Sequence, residues 1–478
     1  MDAIAAAFVA DLERGQPDRD VLRTVGEPDA ERAADAFLQA ARDPDLRSTC
    51  RLWAPALLRS ARPGFGAQCL ADLAQRLRAA GGAPLDPERT PTLPLVLGSS
   101  NFLARLLRRQ PDWIAELSGP VPDPPDPSPI ERDWTAIRRA KYRGLLRIAA
   151  RDLVPRAFEE SLRELSELAD RCLAAALDCA IQETGESAPA LLALGKLGGR
   201  ELNFSSDVDV LFIYGAESEM EDLERNRAVG RVVTHFKSGL DALTEDGFGY
   251  RVDLDLRPEG PTGVLANSVE AALEYYATFG AEWERQMLIR LRPLAGDTAV
   301  ADAFADAIEP FVYRRLIDPN VMRDVHAMKT RIEDERRRAG RDLEANLKEG
   351  PGGIRDVEFL TQSFQLFYGA RHPELRTGHV LAALSALGRL RLLPEPVTSA
   401  LRESYTWLRR AEHAVQLPEE QQLSLFPRDR SGQLALARRM GYAHATADAA
   451  RDRLLEDWTA VRNEVRQHFE ALVFRESE

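Results

Sequence analysis

The sequence predicts an α+β fold that is predominantly helical, with a small strand-rich domain near its centre. Apolar residues recur at three- to four-residue spacing on both sides of that centre, as in NFLARLLRRQPDWIAEL at residues 101–117, and this period indicates helices. At the centre, the apolar runs PALLALGKL (189–197) and DVDVLFIY (207–214) indicate buried strands. A third segment, GYRVDLDLRP (249–258), alternates apolar and charged residues, which is typical of a half-buried strand.

Proline-rich and polar segments divide the 478-residue chain. The run SGPVPDPPDPSP, beginning at Ser118, is the clearest linker, because proline lacks the N–H donor that a helix needs. We expect the long helices after it to break near Pro155. The predicted parts are an N-terminal helical region over 1–117, the linker over 118–130, long helices over 131–187, a central α/β domain over 188–300 and a C-terminal helical bundle over 301–478.

Composition excludes several classes of function. A net charge of −13 and a pI near 5.3 argue against a general nucleic-acid binder, which needs a basic surface. No run of 18 apolar residues occurs and the N-terminus is acidic, so we expect neither a membrane span nor a signal peptide. The four cysteines form no CxxC pair, and Cys172 and Cys179 fall on an apolar helical stripe, so we expect a cytoplasmic protein with buried thiols.

The stretch GKLGGRELNFSSDVDVLFIY (195–214) carries the strongest candidate site. Alternate residues of a strand share a face, so Asp207 and Asp209 point the same way, with Cα atoms about 6.6 Å apart. Two carboxylates at that spacing can hold a pair of magnesium ions, which neutralise phosphate oxygens during an in-line displacement. A lone DxD pair is more often a solvated turn, but the buried strand that follows sets these acids at the rim of a core sheet, which favours chemistry.

The third strand and the glycine turn supply the remaining candidates. Asp253 and Asp255 share one strand face, so spacing alone does not choose between them as a third carboxylate. Arg251 and Arg257 fall on the same face and suit phosphate charge, although a self-compensating solvated face has the same pattern. Backbone N–H groups of a glycine turn can approach a phosphate closely, and polar residues beside it can contact one as well. The candidates at the turn are Lys196, Gly198, Gly199, Ser205 and Ser206.

These segments together resemble a known family. A strand, a Gly-Gly turn, a DxD strand and a later third acid look like the nucleotidyltransferase fold of the DNA polymerase β type. More narrowly, GKLGGRELNFSSDVDVLFIY, VDLDLRPEGPTG, WERQMLIRLRPLAGD and KEGPGGIRDVEFLTQ resemble the bifunctional glutamine synthetase adenylyltransferase/adenylyl-removing enzyme in order and spacing. The similarity extends from about Leu97 to the C-terminal helices. It implies that 188–300 is a nucleotidyltransferase domain flanked by helical regions.

The resemblance also implies roles for the acids. Asp207 and Asp209 match the paired ligands of Mg²⁺ (or Mn²⁺), and Asp253 matches the third carboxylate, so these three are the expected catalytic and metal-binding residues. The family commonly has arginine where this chain has Asp255. That departure removes a phosphate contact and adds negative charge beside the metals, so Arg257 gains weight as a phosphate ligand.

Two further motifs are carried over from the family. Gly198 and Gly199 match the turn that approaches phosphate. The segment GPGGIRDVEF matches a motif of the helical region, in which Arg355 is a candidate ligand. Glycines followed by acids in a first turn equally mark a plain helix start.

The family has two homologous halves, and this chain has the length of one. The N-terminal half removes AMP from a tyrosine of glutamine synthetase, using phosphate and releasing ADP, whereas the C-terminal half attaches AMP from ATP. ELNFSSD and GGIRDVEF look like the N-terminal half, so the resemblance implies AMP removal by phosphorolysis. It also implies glutamine synthetase as the protein substrate, nucleotide and phosphate as small substrates, and a PII signalling protein as a further partner.

Three alternatives stay open at this point. The first is the adenylylating direction, with ATP as the donor. The second is a non-catalytic half-length homologue that binds glutamine synthetase or PII, against which the three retained acids speak. The third is a related transferase with another acceptor, such as a PII uridylyltransferase. The sequence is equally compatible with a whole protein and with one half of a longer one.

Overall fold

The computed structural model describes residues 2–215, 222–315, 330–331, 334–338, 340, 342–442 and 446–475. Within these ranges, helices surround one small mixed sheet, as expected for a predominantly helical α+β protein. None of the helices in the described part of the chain has both the length and the apolar character that crossing a membrane requires.

Helices make up the chain before the Pro-rich segment. Several are capped where the sequence offers a short polar side chain: Asp29 accepts the N–H of Arg32, and Ser100 accepts that of Leu103. The helices are α1 (Asp2–Glu13), α2 (Arg19–Thr24), α3 (Ala30–Arg42), α4 (Cys50–Arg59), α5 (Pro63–Ala79), α6 (Leu93–Ser99) and α7 (Asn101–Arg109).

The Pro-rich segment has no helix or strand between residues 118 and 133, as its prolines predict. Two long helices follow, α8 (Trp134–Asp152) and α9 (Phe158–Thr184), and the break between them falls at the expected Pro155. The segment lies along α8, because Arg147 and Arg151 donate hydrogen bonds to carbonyl oxygens within it at 3.0 and 2.8 Å. It is therefore packed against the helix that it leads into.

The sheet has five short strands: β1 (Ala190–Ala193), β2 (Val208–Tyr214), β3 (Val252–Asp253), β4 (Asn267–Ser268) and β5 (Arg292–Gly296). Their order is β3-β2-β1-β5, and β4 also pairs with β2. β1 runs antiparallel to β2 and β5, whereas β3 and β4 run parallel to β2. Helices α10 (Gly195–Gly198), α11 (Asp222–Asp241), α12 (Val269–Phe279) and α13 (Glu282–Leu288) connect the strands.

Both faces of the sheet are buried, which explains why its central strands read as unbroken apolar runs. Leu191 and Phe212 pack into one core with the N-terminal helices, α8, α9 and α11. Leu192 and Ile213 pack into a second core on the opposite face, with α12 and the following helix. Alternate residues of each strand thus serve different cores, as the two-residue period requires.

The third predicted strand is much shorter than its alternating pattern suggested. Tyr250, Val252 and Leu254 are all buried, as the alternation predicts, but ladder pairing covers only Val252–Asp253. The chain turns directly afterwards, because the side chain of Asp253 accepts the backbone N–H of Asp255 at 2.7 Å. The expectation that Asp255 and Arg257 lie on the same strand as Asp253 is therefore wrong.

Helices again make up the chain after the sheet. They are α14 (Thr298–Val312), α15 (Ile354–Tyr368), α16 (Val380–Arg389), α17 (Glu395–Gln416), α18 (Arg430–Arg439) and α19 (Ala447–Arg475), and residues 334–338 are helical as well. From α15 onward these helices form a third core around side chains such as Leu384, Leu408 and Trp458.

All four cysteines are buried free thiols, and Cys172 and Cys179 lie in the core, as their helical stripe predicted.

Candidate active site

The register of two strands places the candidate carboxylates together. β2 and β3 are parallel neighbours, and Asp209 lies directly opposite Asp253 in the ladder. Asp207 immediately precedes β2 and lies on the same side as Asp209. Asp255 lies outside β3 and its side chain is 66% exposed. The register therefore favours Asp253 over Asp255 as the third acid, a choice that spacing alone left open.

Asp209 is the most strongly perturbed of the three acids. Its pKa is raised to about 6, first because the carboxyl group is buried and then because the negative charges of Asp253 and Asp207 lie close to it. The ammonium groups of Lys348 and Lys196 oppose that rise. A carboxyl group with this combination of burial and like charge is typical of a functional site.

Gly195 makes room for the Asp209 carboxylate. Its φ of +53° lies in the left-handed region, and a Cβ placed on it would lie 2.0 Å from the Oδ2 atom of Asp209. Any side chain here would displace the carboxylate, so glycine is required on both conformational and steric grounds. The first glycine of GKLGG, to which the motif assigned no separate role, is the one that lies against Asp209.

Arg251 connects Asp207 to the turn before β2. Its Nε donates to Asp207 Oδ1 at 2.5 Å, and its Nη2 donates to the carbonyl oxygen of Ser205 at 2.8 Å and to the Ser205 hydroxyl at 3.3 Å. The predicted phosphate ligands Arg251 and Ser205 thus lie beside the acids. Ser206 accepts the N–H of Asn203 at 3.2 Å and so stabilises the turn.

Arg257 does not face the acids as the strand pattern suggested. It is buried, and its guanidinium group donates to the carbonyl oxygens of Leu254, Pro261, Gly263 and Val264 at 2.8 to 3.1 Å. Its donors are used to hold the loop after β3, because that loop has no strand pairing to satisfy its carbonyl groups.

The three carboxylates fit a divalent metal in their chemistry. Mg²⁺ and Mn²⁺ prefer oxygen ligands, and a cation would relieve the repulsion that raises the Asp209 pKa. As the side chains stand, no three Asp, Glu, His or Cys groups among the described residues converge closely enough to hold an ion. Asp207 is turned towards Arg251, and Asp253 is turned towards the N–H of Asp255. Rotation of these two side chains is what metal binding requires here.

Lys196 is held by a residue that the sequence did not single out. Its Nζ lies 2.9 and 3.0 Å from the two carboxylate oxygens of Glu412, on α17. Burial lowers the pKa of Lys196 to about 8, and Glu412 opposes that shift. The predicted phosphate ligand is therefore a largely buried lysine that lies next to the acids and is paired with Glu412.

A buried ion network surrounds that pair. Its members are three acids and three bases: Glu201, Glu358, Glu412, Lys196, Arg290 and Arg409. Arg290 Nη2 lies 2.9 Å from Glu358 Oε1 and 3.5 Å from Glu201 Oε2. Although burial alone would raise it, Arg290 and Arg409 hold the pKa of Glu358 down at about 2. The network joins the nucleotidyltransferase-like sheet region to α15 and α17.

Sequence reasoning missed this network because its partners lie far apart in the chain. Glu201 and Arg409 are both almost fully buried but are separated by 208 residues. The one available signal was a glutamate inside ELNFSSD, directly after a turn and before a buried stretch. A charge in that position is rarely buried without a partner.

Lys348 is a second residue that sequence reasoning missed. Its ammonium group lies near enough to Asp209, Lys196 and Glu412 to shift the pKa of each. Its side chain is half-buried and has no hydrogen-bond or ion-pair partner within the ranges that the structure describes. The signal was its place at the start of KEGPGGIRDVEF, one of the motifs already noted.

Family comparisons agree with this geometry. Residues 91–307 match the family model described as glutamate-ammonia ligase adenylyltransferase, and residues 326–473 match the model described as GlnD PII-uridylyltransferase. A bifunctional glutamine synthetase adenylyltransferase/adenylyl-removing enzyme from Nitrosococcus oceani is 35% identical over 415 residues, which cover 80% of this chain. The proteins of the same description from Stenotrophomonas maltophilia and Xanthomonas campestris are each 36% identical, over 79% and 78% of this chain.

This chain is a half-length homologue of that family. The alignments cover 42%, 42% and 41% of the three relatives, so the chain spans about two fifths of their length. The resemblance inferred from the motifs is thereby confirmed.

The Gly-Gly turn of this adenylyltransferase homologue is tightly packed. A Cβ on Gly198 would lie 1.9 Å from the carbonyl oxygen of Arg290, and one on Gly199 would lie 2.6 Å from that of Gly378. Their N–H groups donate to the carbonyl oxygens of Leu194 and Gly195. Packing alone thus requires both glycines, and their contact with phosphate stays a prediction.

The GPGGIRDVEF motif of the homologue begins α15. Gly353 precedes the first helical residue, and Asp356 accepts the N–H of Gly352 at 2.8 Å, which is the helix-start interpretation. Arg355 lies 3.8 Å from Glu349 and 5.6 Å above the ring of Phe359, and burial lowers its pKa. The described contacts do not bring Arg355 to the carboxylates, and its ligand role stays a prediction.

Proposed function

We propose that this chain removes AMP from the adenylylated tyrosine of glutamine synthetase by phosphorolysis, releasing ADP. The observation that carries the proposal is the pairing of Asp209 with Asp253 across β2 and β3, with Asp207 beside them, in a homologue of the adenylyltransferase/adenylyl-removing family. The wording of ELNFSSD and GGIRDVEF favours the removing direction.

The reaction exchanges one bond at phosphorus for another. An oxygen of inorganic phosphate bonds to the adenylyl phosphorus while the bond from phosphorus to the tyrosine oxygen breaks, and the tyrosinate then takes a proton from water. Both the attacking phosphate and the adenylyl group are anions, so bare carboxylates would repel them. Positive charge beside the acids is required, and Lys196, Arg251 and Lys348 lie there.

Asp207, Asp209 and Asp253 would hold Mg²⁺ or Mn²⁺ in this site. When bound, the metal supplies charge that neutralises phosphate oxygens and stabilises the leaving phenolate. Among the side chains of this protein, Lys348 is the best placed to bind the attacking phosphate, because its ammonium group has no partner in the described ranges. Arg251 holds Ser205 and the turn before β2 in place.

The adenylylating direction, with ATP as the donor, is the second candidate. Two facts favour it: the name of the relatives joins both activities, and this chain matches less than half of their length. We further propose a PII signalling protein as a partner, since residues 326–473 match the GlnD PII-uridylyltransferase model. The four free, buried thiols support placing the protein in the cytoplasm.

The deciding experiment supplies both substrates in separate reactions. Adenylylated glutamine synthetase with phosphate and Mg²⁺ is incubated with the protein, and released nucleotide is identified by chromatography. We expect ADP, with a rate that saturates with phosphate and that is lost in EDTA. If ADP never forms and ATP instead labels unmodified glutamine synthetase with release of pyrophosphate, the adenylylating direction is correct. Absence of both reactions supports a binding role only.

A further inference from the structure

A cavity of about 390 Å³ lies where the connection between α8 and α9 meets α17 and the end of α18. We call it the arginine cavity, because four arginines lie in its wall. Its charged and polar lining residues are Asp152, Arg156, Ser161, Arg410, His413, Arg438 and Arg439. Its volume falls within the range of pockets that hold small molecules. No residue of the carboxylate site lines it.

The wall of this cavity has an excess of positive charge, unlike those of two other cavities in the described part of the protein. A cavity of about 540 Å³ beneath the Pro-rich segment has four arginines and four carboxylates in its wall. One of about 440 Å³ beside α3 has three of each. The arginine cavity has four arginines and one carboxylate, in a chain whose net charge is −13.

Two of the four arginines already have acidic neighbours. Arg156 pairs with Asp152 and with Glu164. Arg438 donates to the carbonyl oxygens of Val25 and Ser60, and it lies near Glu27. These two are explained by the contacts that they make inside the protein.

Arg410 and Arg439 lack such an acidic neighbour. Arg410 donates through one nitrogen to the Met440 carbonyl oxygen at 3.1 Å, and Arg439 donates through Nε to that of Ser99 at 2.9 Å. Neither forms an ion pair with any residue that the structure describes. Each therefore keeps guanidinium N–H groups that no acceptor among the described residues uses.

Two further observations favour an anion as the ligand of this wall. His413 is 5% exposed, its Nε2 lies 2.9 Å from Asp152, and its Nδ1 is buried with no hydrogen-bond partner. Burial lowers the pKa of Arg439 to about 10, and the charge of Arg62 lowers it as well. A bound anion would offset the burial of the Arg439 charge, and it would accept a hydrogen bond from Nδ1 of His413 when that nitrogen carries a proton.

We propose that the arginine cavity binds a small anion that carries carboxylate or phosphate groups, with Arg410 and Arg439 as its principal ligands. Guanidinium groups suit both kinds of group, because their planar forks match two oxygens at once. Arg410 is exposed at the rim and Arg439 is half-buried, so a ligand can enter from solvent.

Helix α17 connects the arginine cavity to the carboxylate site. One side of the helix contributes Arg410 and His413 to the cavity wall. The other side contributes Glu412, which holds Lys196, and Gln416, which accepts the N–H of Ser205 at 3.1 Å. An anion that shifts this helix changes the position of Lys196 and Ser205. The anion would thereby control the rate of catalysis. This inference about control, unlike the inference about binding, rests on the proposed function.

Binding is tested directly, without reference to activity. Citrate is the carboxylate probe and inorganic sulfate the phosphate-like probe, each titrated by calorimetry into the full chain at constant ionic strength. We expect at least one to bind, and Arg410→Gln or Arg439→Gln to weaken that binding about tenfold to a hundredfold, because hydrogen bonds between charged groups are lost. Which probe binds tells whether carboxylate or phosphate chemistry is preferred.

Two matched variants locate the binding. Asp207→Asn alters the carboxylate site, and Arg402→Gln removes an exposed arginine of the same α17 that lies outside the cavity wall. Both should bind the probe like the unchanged protein. Because Arg439 also donates a hydrogen bond to Ser99, folding of Arg439→Gln is checked by thermal melting. If Arg439→Gln does not fold, the binding result for Arg410→Gln decides, since Arg410 is exposed.

The proposal is overturned if neither probe binds at about 10 mM, or if Arg410→Gln leaves the affinity unchanged. It is equally overturned if Asp207→Asn abolishes binding, since the probe then occupies the carboxylate site. A separate assay measures phosphorolysis with and without the bound probe. If the probe binds without changing the rate, the anion site stands and the inference that it controls catalysis is wrong.

Discussion

Two clusters of charge lie side by side in this protein and differ in how their charges are matched. The buried ion network of Glu201, Glu358, Glu412, Lys196, Arg290 and Arg409 has three acids and three bases, each with a partner at hydrogen-bond or ion-pair distance. The carboxylates of Asp207, Asp209 and Asp253 have one arginine among them, and it contacts only Asp207.

The difference separates a structural role from a chemical one. In the network, opposite charges favour the charged form of their partners: Arg290 and Arg409 hold the pKa of Glu358 down, and Glu412 opposes the lowering of the Lys196 pKa by burial. In the carboxylate cluster, like charges and burial raise the pKa of Asp209 and make the folded state less stable. A protein retains such an arrangement when the site needs it for function. Breaking the network should therefore cost stability, and breaking the cluster should cost activity.

The largest effect is expected at the centre of the network. Arg409→Met removes a charge whose side chain is 1% exposed and which contacts Glu201, Glu412 and Asn203. The carboxylates left behind stay buried without compensation, so the free energy of unfolding should fall by about 3–5 kcal/mol. Urea denaturation measures it. Arg402→Met, at an exposed position of the same helix, should change it by less than about 0.5 kcal/mol.

A loss below about 1 kcal/mol for Arg409→Met would show that the network does not stabilise the fold. The contrast drawn between the network and the carboxylate cluster would then be wrong.

The next largest effect concerns rate. Asp209→Asn and Asp253→Asn each remove a charge from the pair that the register places together, and each should lower the rate of the proposed phosphorolysis by about 10²–10³. Asp255→Asn is the matched control, because Asp255 is exposed and outside the strand, and should be milder. Single-turnover release of ADP measures all three. A more severe loss in Asp255→Asn than in Asp253→Asn would place the third acid two residues further on.

The third prediction is a gain in the free energy of unfolding, where the first is a loss. In the native protein Asp209 holds its proton up to about pH 6, whereas the unfolded chain releases it near pH 3.8. Between these values the native state binds more protons, so the contribution of this group to stability falls as pH rises and stays low at pH 7. Asp209→Asn cannot ionise, so in EDTA at pH 7 it should stabilise the protein by about 1–2 kcal/mol.

Urea denaturation at pH 7 and pH 4 tests this sign. The gain should shrink towards zero at pH 4, where the carboxyl group is mostly protonated in the native state. A variant that is less stable than the unchanged protein at pH 7 would contradict the reading of Asp209 as an unmatched charge. Asp255→Asn is the control, because its side chain is 66% exposed, and should change the free energy of unfolding by less than about 0.5 kcal/mol at pH 7.

The sequence predicted local features of the fold well. Apolar runs located β1 and β2, the break at Pro155 separated α8 from α9, and the stripe of Cys172 and Cys179 was buried. The pattern misjudged β3, because three buried residues in alternation do not show where ladder pairing stops. That end is set by the side chain of Asp253, which turns the chain through a local hydrogen bond.

The candidate site was predictable only as far as its own motif extends. Asp207 and Asp209 follow from two-residue spacing on one strand. The choice of Asp253 needed the register between β2 and β3, which no single segment contains. Glu412 and Lys348 come from segments more than 130 residues beyond Asp209 and reach the site only through tertiary packing. Glu412 carried no readable signal, and Lys348 carried only its place at the start of a motif.

The smallest expected effect separates backbone strain from displacement of a catalytic side chain. Gly195→Ala and Gly185→Ala both force alanine into the left-handed region, at φ +53° and +69°, and each should lose about 1 kcal/mol of stability. At Gly185 nothing lies within 4 Å of the new methyl group, so activity should be unchanged. At Gly195 the methyl group meets Asp209 Oδ2 at 2.0 Å, and the flexible carboxylate must rotate away. Similar stabilities with a rate at least about tenfold lower in Gly195→Ala would show that the position of this carboxylate, and not the strength of the fold, limits catalysis. Equal rates in the two variants would mean that Asp209 tolerates displacement, which a carboxylate that holds a metal in a fixed geometry does not.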